Sequence, residues 1–388
     1  MLKEITRNIP RADERELWVR AGGRCQFRGC NNLVYQSLVT RERVNVAEKA
    51  HIYSFSPEGP RGHGPFARKI RGLNQVGNLL LVCPGCHKTI DQHQDGEKYS
   101  AALLQEWKRE HEARIVRVTG VSPKRGSHVL LYDSRIGKQD SPIDPDDATE
   151  SIFPGRYPTA ESPVKLSLCY EHQDHEPTFW ETEARHLKNS FERQVAPLMR
   201  DSATKHFSLF ALGDMPLLVL LGSLLTDKPR VDVYQLHREP ATWRWLLRQP
   251  RGFAFTLRRP RLSRGVPALV FSLSGRIDHA RVTDVLGPKA AIWELTVSDP
   301  HNDFLRTRGQ LEKFRQAVRK ALVAINAVHG IATPLHIFPA MPVACAVELG
   351  RVRLPKPDAP WIVYDHHRPS GKFTQALTIG DQHDHTQT

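Results

Sequence analysis

Apolar residues recur at helical spacing twice in the second half of the chain. The first set is Trp180, Ala184, Leu187, Phe191, Val195 and Leu198, and the second is Phe304, Leu311, Phe314, Val318, Leu322 and Ile325. These patterns predict amphipathic helices over 178–200 and 303–329. Each is followed by a short apolar strand, at 206–212 and 335–338. A more uniformly apolar helix comes next, at 216–225 and 342–350, and then another strand, at 231–236 and 361–365. Both turns before the apolar helices contain Met-Pro, at Met215-Pro216 and Met341-Pro342. A proline opens a helix at no cost, because the first N–H has no helical partner anyway. Lys-Pro follows each apolar helix, at Lys228-Pro229 and Lys356-Pro357. Each last strand then runs into the same pattern, Tyr234-x-x-His237-Arg238 and Tyr364-x-x-His367-Arg368. The shared order predicts an internal duplication, with pseudo-repeats over about 164–260 and 261–388. Alternating helices and strands favour an α/β sheet in each. Further strands are expected at 252–257, 267–273 and 290–298.

The first third is patterned differently. A short helix over 11–20 leads into Ala21-Gly22-Gly23, and a strand covers 44–53. Residues 56–72 are rich in Gly, Pro and Arg and read as a loop. A short apolar strand follows at 78–82, then a helix from near Pro84 and another over 100–114. Between 119 and 163 the composition shifts toward Pro, Gly, Ser and Asp, which reads as a connector holding one strand, His128–Tyr132. The expected domains are therefore 1–118 and 164–388, and 388 residues suit two domains better than one.

Charge sharpens this division. The net charge is +13 and the isoelectric point about 9.6. Residues 1–118 hold 20 Lys/Arg and 13 Asp/Glu, so net positive charge is more than twice as dense there as in the rest. Such a surplus favours an anionic partner. The N-terminus has no apolar core of a secretory signal, and no apolar run is long enough to span a bilayer, so the expected location is the cytoplasm and no membrane partner is expected. There, Cys25, Cys30, Cys83 and Cys86, a C-x4-C and a distant C-x2-C, point to structural zinc rather than disulfides. Cys169 and Cys345 lie in apolar runs and read as small core residues.

The candidate chemistry lies between and beside those cysteines. Ala47-Glu48-Lys49-Ala50-His51-Ile52 is followed by Asn78-Leu-Leu-Leu-Val-Cys83-Pro-Gly-Cys86-His87. A strand histidine, an asparagine and a helical histidine, flanked by zinc-knuckle half-sites, resemble an HNH nuclease. The resemblance implies a zinc-stabilised ββα-metal domain of α+β class. It implies that His51 is the general base, and that His87 binds a catalytic divalent cation, magnesium being the expected one. Asn78 orients His51 or approaches that cation. Asp91, one helical turn after His87, is a reasonable second ligand. Many HNH enzymes place an acid or His directly before the base; here that position is Ala50. Glu48 is near, but strand alternation puts it on the opposite side from His51. The loop carrying Arg61, Arg68, Lys69 and Arg71 is the expected contact for double-stranded DNA phosphates.

In the second half there is no P-loop and no dinucleotide fingerprint. Two similar α/β halves facing each other make a crevice for a ligand of matching approximate symmetry. Met215, Pro216, Tyr234, His237 and Arg238, with Trp243 nearby, are candidate contacts from one half. Met341, Pro342, Tyr364, His367 and Arg368 are their counterparts. The run from His206 through Leu218, continuing from Val231 to Arg238, resembles a SAVED domain. The order HNH then SAVED is similar to the effector nucleases of CBASS antiphage defence. That resemblance implies two fused CARF-like (Rossmann-like) units that bind a cyclic di- or trinucleotide from a partner nucleotidyltransferase. It also implies assembly from a homo-oligomer, a dimer, to a higher-order form, and degradation of DNA with little sequence preference. Two other readings stay open at this stage. One is a constitutive, sequence-specific restriction-type endonuclease; the other is a non-enzymatic, zinc-stabilised DNA-binding regulator.

Overall fold

The computed structural model describes residues 8–92, 97–133, 135–136, 139–140, 143–168, 176, 178–246, 248, 252–261, 264–354, 358–367 and 370–380. The chain divides into two compact units, Met1–Ser122 and Pro123–Thr388.

The first unit is small. Helix α1 (Arg11–Ala21) ends at Gly22, whose φ of 61° suits a residue without Cβ. Strands β1 (Glu48–His51) and β2 (Leu79–Val82) pair antiparallel, with His51 opposite Leu79 and Glu48 opposite Val82. Helix α2 (Pro84–Asp91) follows β2 directly, with Cys83 at its N-cap and Pro84 in its first turn. Helix α3 (Ala101–Thr119) is capped by the Ser100 side chain. The expected strand over 44–53 pairs only at its centre, and the expected loop contains short 3-10 turns at Gly64–Phe66 and Ile70–Asn74. The core is β2, Leu17, Ala50, Ile52, Ile90 and Leu104, with Cys25 and Cys83 buried among them.

The second unit opens inside the stretch read as a connector. Strand β3 (Gly126–Asp133) pairs parallel with β8 (His206–Leu212) and with β7 (Val164–Ser167), and at its start with β6 (Tyr157–Pro158). The two-stranded pair β4 (Arg135–Ile136) and β5 (Gln139–Asp140) follows, then helix α4 (Pro145–Ile152). Helices α5 (Phe179–Gln194) and α6 (Ala196–Asp201) precede β8, and α7 (Met215–Leu225) links it to β9 (Arg230–Val233). A short pair, β10 (His237–Arg238) and β11 (Ala241–Thr242), ends this half.

The other half is a six-stranded sheet in the order β12 (Thr256–Arg258), β14 (Ala291–Thr296), β13 (Pro267–Ser272), β15 (Leu335–Ala340), β16 (Trp361–His367), β17 (Lys372–Ile379). Helices α8 (His279–Leu286), α9 (Arg308–His329) and α10 (Val343–Val352) connect them. Strands β14–β13–β15–β16 run parallel, in the same order as β7–β3–β8–β9. The duplicated unit is therefore β-α-β-α-β-α-β, and its first copy starts at β3, not near residue 164. A fragment rich in turn residues still forms a central strand, because Val129–Tyr132 are buried between β7 and β8.

Helices α7 and α10 cross at the centre of this unit. A Cβ on Gly222 would stand 2.0 Å from the Val347 carbonyl oxygen, and one on Gly350 would stand 2.0 Å from that of Val219. This reciprocal pairing sets the true equivalence of the halves. It makes Met215, the first residue of α7, match Val343, so the two Met-Pro pairs fall out of step: Pro216 lies in the first turn of α7, whereas Pro342 is the N-cap of α10. Lys356 and Pro357 lie outside the described residues. Two stacked ring pairs are equivalent, Phe210 on Tyr234 (4.3 Å) and Phe338 on Tyr364 (4.4 Å).

Candidate functional site

In the first unit, Gln26 docks the first cysteine pair onto β2. Its backbone N–H donates to the Leu81 carbonyl and its side-chain oxygen accepts from the Leu81 N–H, both at 2.8 Å. Cys25 and Cys30 thereby meet Cys83 and Cys86, with all four Sγ atoms within 4.8 Å of one another. None is in a disulfide. Tetrahedral zinc–thiolate bonds of about 2.3 Å place sulfurs about 3.8 Å apart, and Cys30 Sγ lies 3.9 Å from Cys83 Sγ. The Cys83 N–H points at Cys25 Sγ from 3.4 Å, a donor suited to a thiolate. Burial pushes the Cys25 thiol up to about 12 and also raises Cys86, with repulsion from Cys25 adding to it. Burial acts upward on Cys83 too, but hydrogen bonds from its neighbours more than offset it. Four crowded sulfurs of this kind ionise together only around a cation, so the donor set fits structural zinc.

Immediately after Cys86, His87 projects from α2. Its Nδ1 lies 2.6 Å from Glu48 Oε2 and its Nε2 lies 3.3 Å from Asp91 Oδ2. Asp91 and then Glu48 raise the His87 pKa against the effect of burial. Burial pushes Asp91 up, but His87 and Arg61 together bring it below its usual value. Glu48, His51, His87 and Asp91 line one cavity of about 600 Å³. Glu48 and His51 thus border the same cavity, although they stand three residues apart on β1. Glu48, two residues before Ala50, carries the carboxylate that meets His87.

Asn78 plays a different part from the one expected. It is buried; its Oδ1 accepts from the Tyr53 N–H at 2.8 Å, and its Nδ2 donates to the carbonyls of Tyr53 and Leu73. These bonds fix the chain just beyond β1. Asn74 meets His51, its Oδ1 2.9 Å from Nε2. It is delivered by the 3-10 turn over Ile70–Asn74, which has no local signal beyond a nearby second asparagine.

Arg61 is also inside rather than on the surface. Its side chain is 4% exposed, pairs with Asp91 at 3.0 Å and donates to the carbonyls of His51, Ile52, Ile90 and Tyr99. It joins the end of β1 to the end of α2 and is not available to DNA phosphates in this state. Arg68, Lys69 and Arg71 are exposed.

Most of the expected ligand contacts of the second unit are packed in its core. Pro216, Met341, Pro342, Tyr364 and His237 are buried, and Met215 packs against the main cluster. His367 bonds Ser370, Arg238 is exposed on β10, and Arg368 lies outside the described residues. Tyr234 lines a cavity of about 670 Å³, and Trp243 lines one of about 330 Å³.

The family model for the "SMODS-associated and fused to various effectors sensor domain" matches residues 188–379. This stretch is a SAVED domain. Strands β3, β6 and β7 lie ahead of the match, yet they share a sheet with β8 and β9 of that domain. Similar solved structures include the Acinetobacter baumannii Cap4 SAVED/CARF-domain containing receptor with the cyclic trinucleotide 2'3'3'-cAAA. It is 11% identical, with a TM-score of 0.43, over 71% of this chain and 55% of that one. The receptor from Moraxella osloensis is 13% identical, with a TM-score of 0.38, over 76% of this chain and 60% of that one. The chain thus spans little more than half the length of these receptors. No curated protein matches. Among the described residues, no helix is long and apolar enough to cross a membrane.

Proposed function

We propose that this chain is a DNA endonuclease of HNH type, held in check by its SAVED domain and switched on by a cyclic oligonucleotide. The observation that carries this reading is the convergence of His51, Glu48, His87 and Asp91 on one cavity of a β-β-α unit, in the same chain as a sensor domain.

His51 takes the proton from the attacking water. Asn74 Oδ1 is an acceptor, so it holds the proton of His51 on Nε2 and leaves Nδ1 as the basic nitrogen. Glu48 does the same for His87 in the opposite sense, holding Nδ1–H and leaving the Nε2 lone pair directed to the side where Asp91 stands. His87 Nε2 and Asp91 would hold a divalent cation, magnesium being the expected one, which supplies neutralisation of charge on the phosphate and the leaving oxygen. Arg61 fixes Asp91, while Arg68, Lys69 and Arg71 bind the DNA backbone without reading sequence. Cys25, Cys30, Cys83 and Cys86 hold zinc, which anchors the start of α2 and with it His87.

The SAVED domain responds to a cyclic di- or trinucleotide made by a partner nucleotidyltransferase, as part of antiphage defence. The ligand shifts the homo-oligomer toward the active form only to the extent that it binds that form more tightly.

The test is degradation of supercoiled plasmid by the purified chain with magnesium, across a panel of cyclic di- and trinucleotides, beside His51→Ala. Cleavage that needs one panel member and His51 supports the reading. Full cleavage with no nucleotide removes the gating, and no cleavage with any member removes the nuclease.

A further inference from the structure

The chain just ahead of β1 forms an antiparallel arm. The Val46 N–H donates to the Val34 carbonyl, the Val44 N–H to that of Tyr35 and the Ser37 N–H to that of Glu42, with Gln36 opposite Arg43. The arm is rooted beside the candidate site: its returning side runs through Ala47, which lines the cavity, into Glu48 and on to His51. From Ala47 back to Thr40 an extended chain reaches roughly 23 Å, at about 3.3 Å per residue. That is less than one turn of a DNA duplex, about 34 Å.

The turn presents apolar surface instead of hiding it. Val39 is 90% exposed and Leu38 50%, while Tyr35 and Val44, lower on the arm, are 49% and 46% exposed. The polar groups of the turn are engaged within it. Ser37 Oγ accepts from the N–H groups of Val39 and Thr40, at 3.3 and 3.1 Å, and the Thr40 hydroxyl donates to the Glu42 carboxylate at 2.9 Å. The Gln36 amide donates to the Arg41 carbonyl at 2.6 Å, and Arg41 stands at a φ of 62°, uncommon for a residue with a Cβ. The tip is therefore a built turn with aliphatic side chains at its apex. Arg41 and Arg43 are exposed beside them, and Glu42, the one acid between 34 and 46, faces Thr40.

Aliphatic side chains between arginines suit nucleic acid, where the cations hold phosphates and the apolar groups press against the bases. A second copy of the chain suits the tip less well, because a net charge of +13 makes two copies repel. We propose that Leu38 and Val39 seat in a groove of the DNA duplex beside the phosphate to be cleaved, with Arg41 and Arg43 on the flanking phosphates. The side chains at the apex offer no hydrogen-bonding group, so the tip reads no donor and acceptor pattern and anchors the duplex whatever its sequence. This rests on the nuclease reading above.

The test is fluorescence anisotropy of the full chain with two short duplexes of unrelated sequence, across the panel of cyclic di- and trinucleotides. Magnesium is left out so that the DNA stays intact. Wild type is compared with Leu38→Ser/Val39→Ser and with Arg41→Ala/Arg43→Ala. All four side chains are exposed, so both variants are expected to melt as wild type does. Under the condition in which wild type binds, the serine pair weakens binding to both duplexes by about tenfold with the same salt dependence. The alanine pair weakens binding and lowers the slope of log affinity against log salt by about two, one for each phosphate contact. Wild-type affinity in the serine pair overturns the anchor and leaves the nuclease reading standing; a fall in oligomeric mass in that variant then assigns the tip to a second copy. A loss for one duplex and not the other overturns it too, because the tip then reads sequence. A wild-type chain that binds neither duplex with any panel member overturns the nuclease reading and the anchor with it.

Discussion

The two units of this chain hold themselves together in opposite ways. The first buries a small apolar cluster around β2 and places four cysteines beside it. The second buries a much larger continuous core, running from β3 through both repeats to β17. In the first unit four crowded cysteine sulfurs stand beside a small core, and the candidate site residues fall within residues 48–91. In the second, the core is ample and the polar groups are brought together from distant segments, such as Arg156, Asp232 and Arg308. The lesson is that the small unit has little apolar core to spare, whereas the large one has enough to enclose polar groups drawn from distant segments.

The strongest way to break this comparison is to remove one thiolate. Cys83→Ser is expected to unfold the first unit while the second melts as before, because structural zinc contributes on the order of 10 kcal/mol of folding free energy. Calorimetry with zinc quantification checks it; a first unit that melts normally without zinc would end the contrast. Next comes His51→Ala, which should leave both melting transitions in place and slow ligand-stimulated DNA cleavage by about 100- to 10,000-fold. Wild-type cleavage by that variant would remove the general base from the account.

Smaller effects belong to the second unit. Gly222→Ala forces a Cβ into the Val347 carbonyl at the α7–α10 crossing, and overpacking of this kind costs about 1–3 kcal/mol. The second transition should fall and the first stay put; an unchanged midpoint would mean the helices are free to separate. Asp232 adds a pH dependence. Burial pushes its carboxyl up, but His206, Arg308 and Arg156 outweigh that and hold it down to about 2. A depressed carboxylate contributes stability that is complete above its unfolded value near 4 and is lost as pH falls through the folded value. Asp232→Asn should therefore cost the second unit about 2 kcal/mol near neutral pH and make its unfolding less sensitive between about pH 4 and 2. Parallel acid profiles for the two proteins would show that the pairing adds nothing.

Much of this was legible in the sequence, for identifiable reasons. The helices α9 and α5 announce themselves by apolar spacing, and β8, β15 and β16 by short apolar runs. The four cysteines were marked by their spacing alone. What stayed hidden depends on partners distant in sequence. Strand β3 sits in a turn-rich stretch, and its place at the centre of a sheet depends on β8, which begins at His206. The Met-Pro pairs looked equivalent because the eye aligns identical letters; the helices align by the glycines where they cross. Asn78 stands out in the sequence by its place next to β2, yet it is Asn74, which the sequence does not mark, that a 3-10 turn brings to His51. Glu48, which alternation along β1 sets apart from His51, nevertheless borders the same cavity, where it meets His87. Arg61 looked like a surface cation until four carbonyls and a carboxylate closed around it. In the second unit, Tyr234 and Trp245 stand out in the sequence by their place after a strand and border one cavity, whereas Arg308, on the same cavity, carries no sequence signal.

The most direct measurement is the initial rate of plasmid cleavage by one preparation of the full chain with magnesium, with and without the cyclic nucleotide that binds it. The account predicts almost no cleavage without the nucleotide and a large rise with it. Equal rates in the two conditions would contradict the claim that the second unit governs the first.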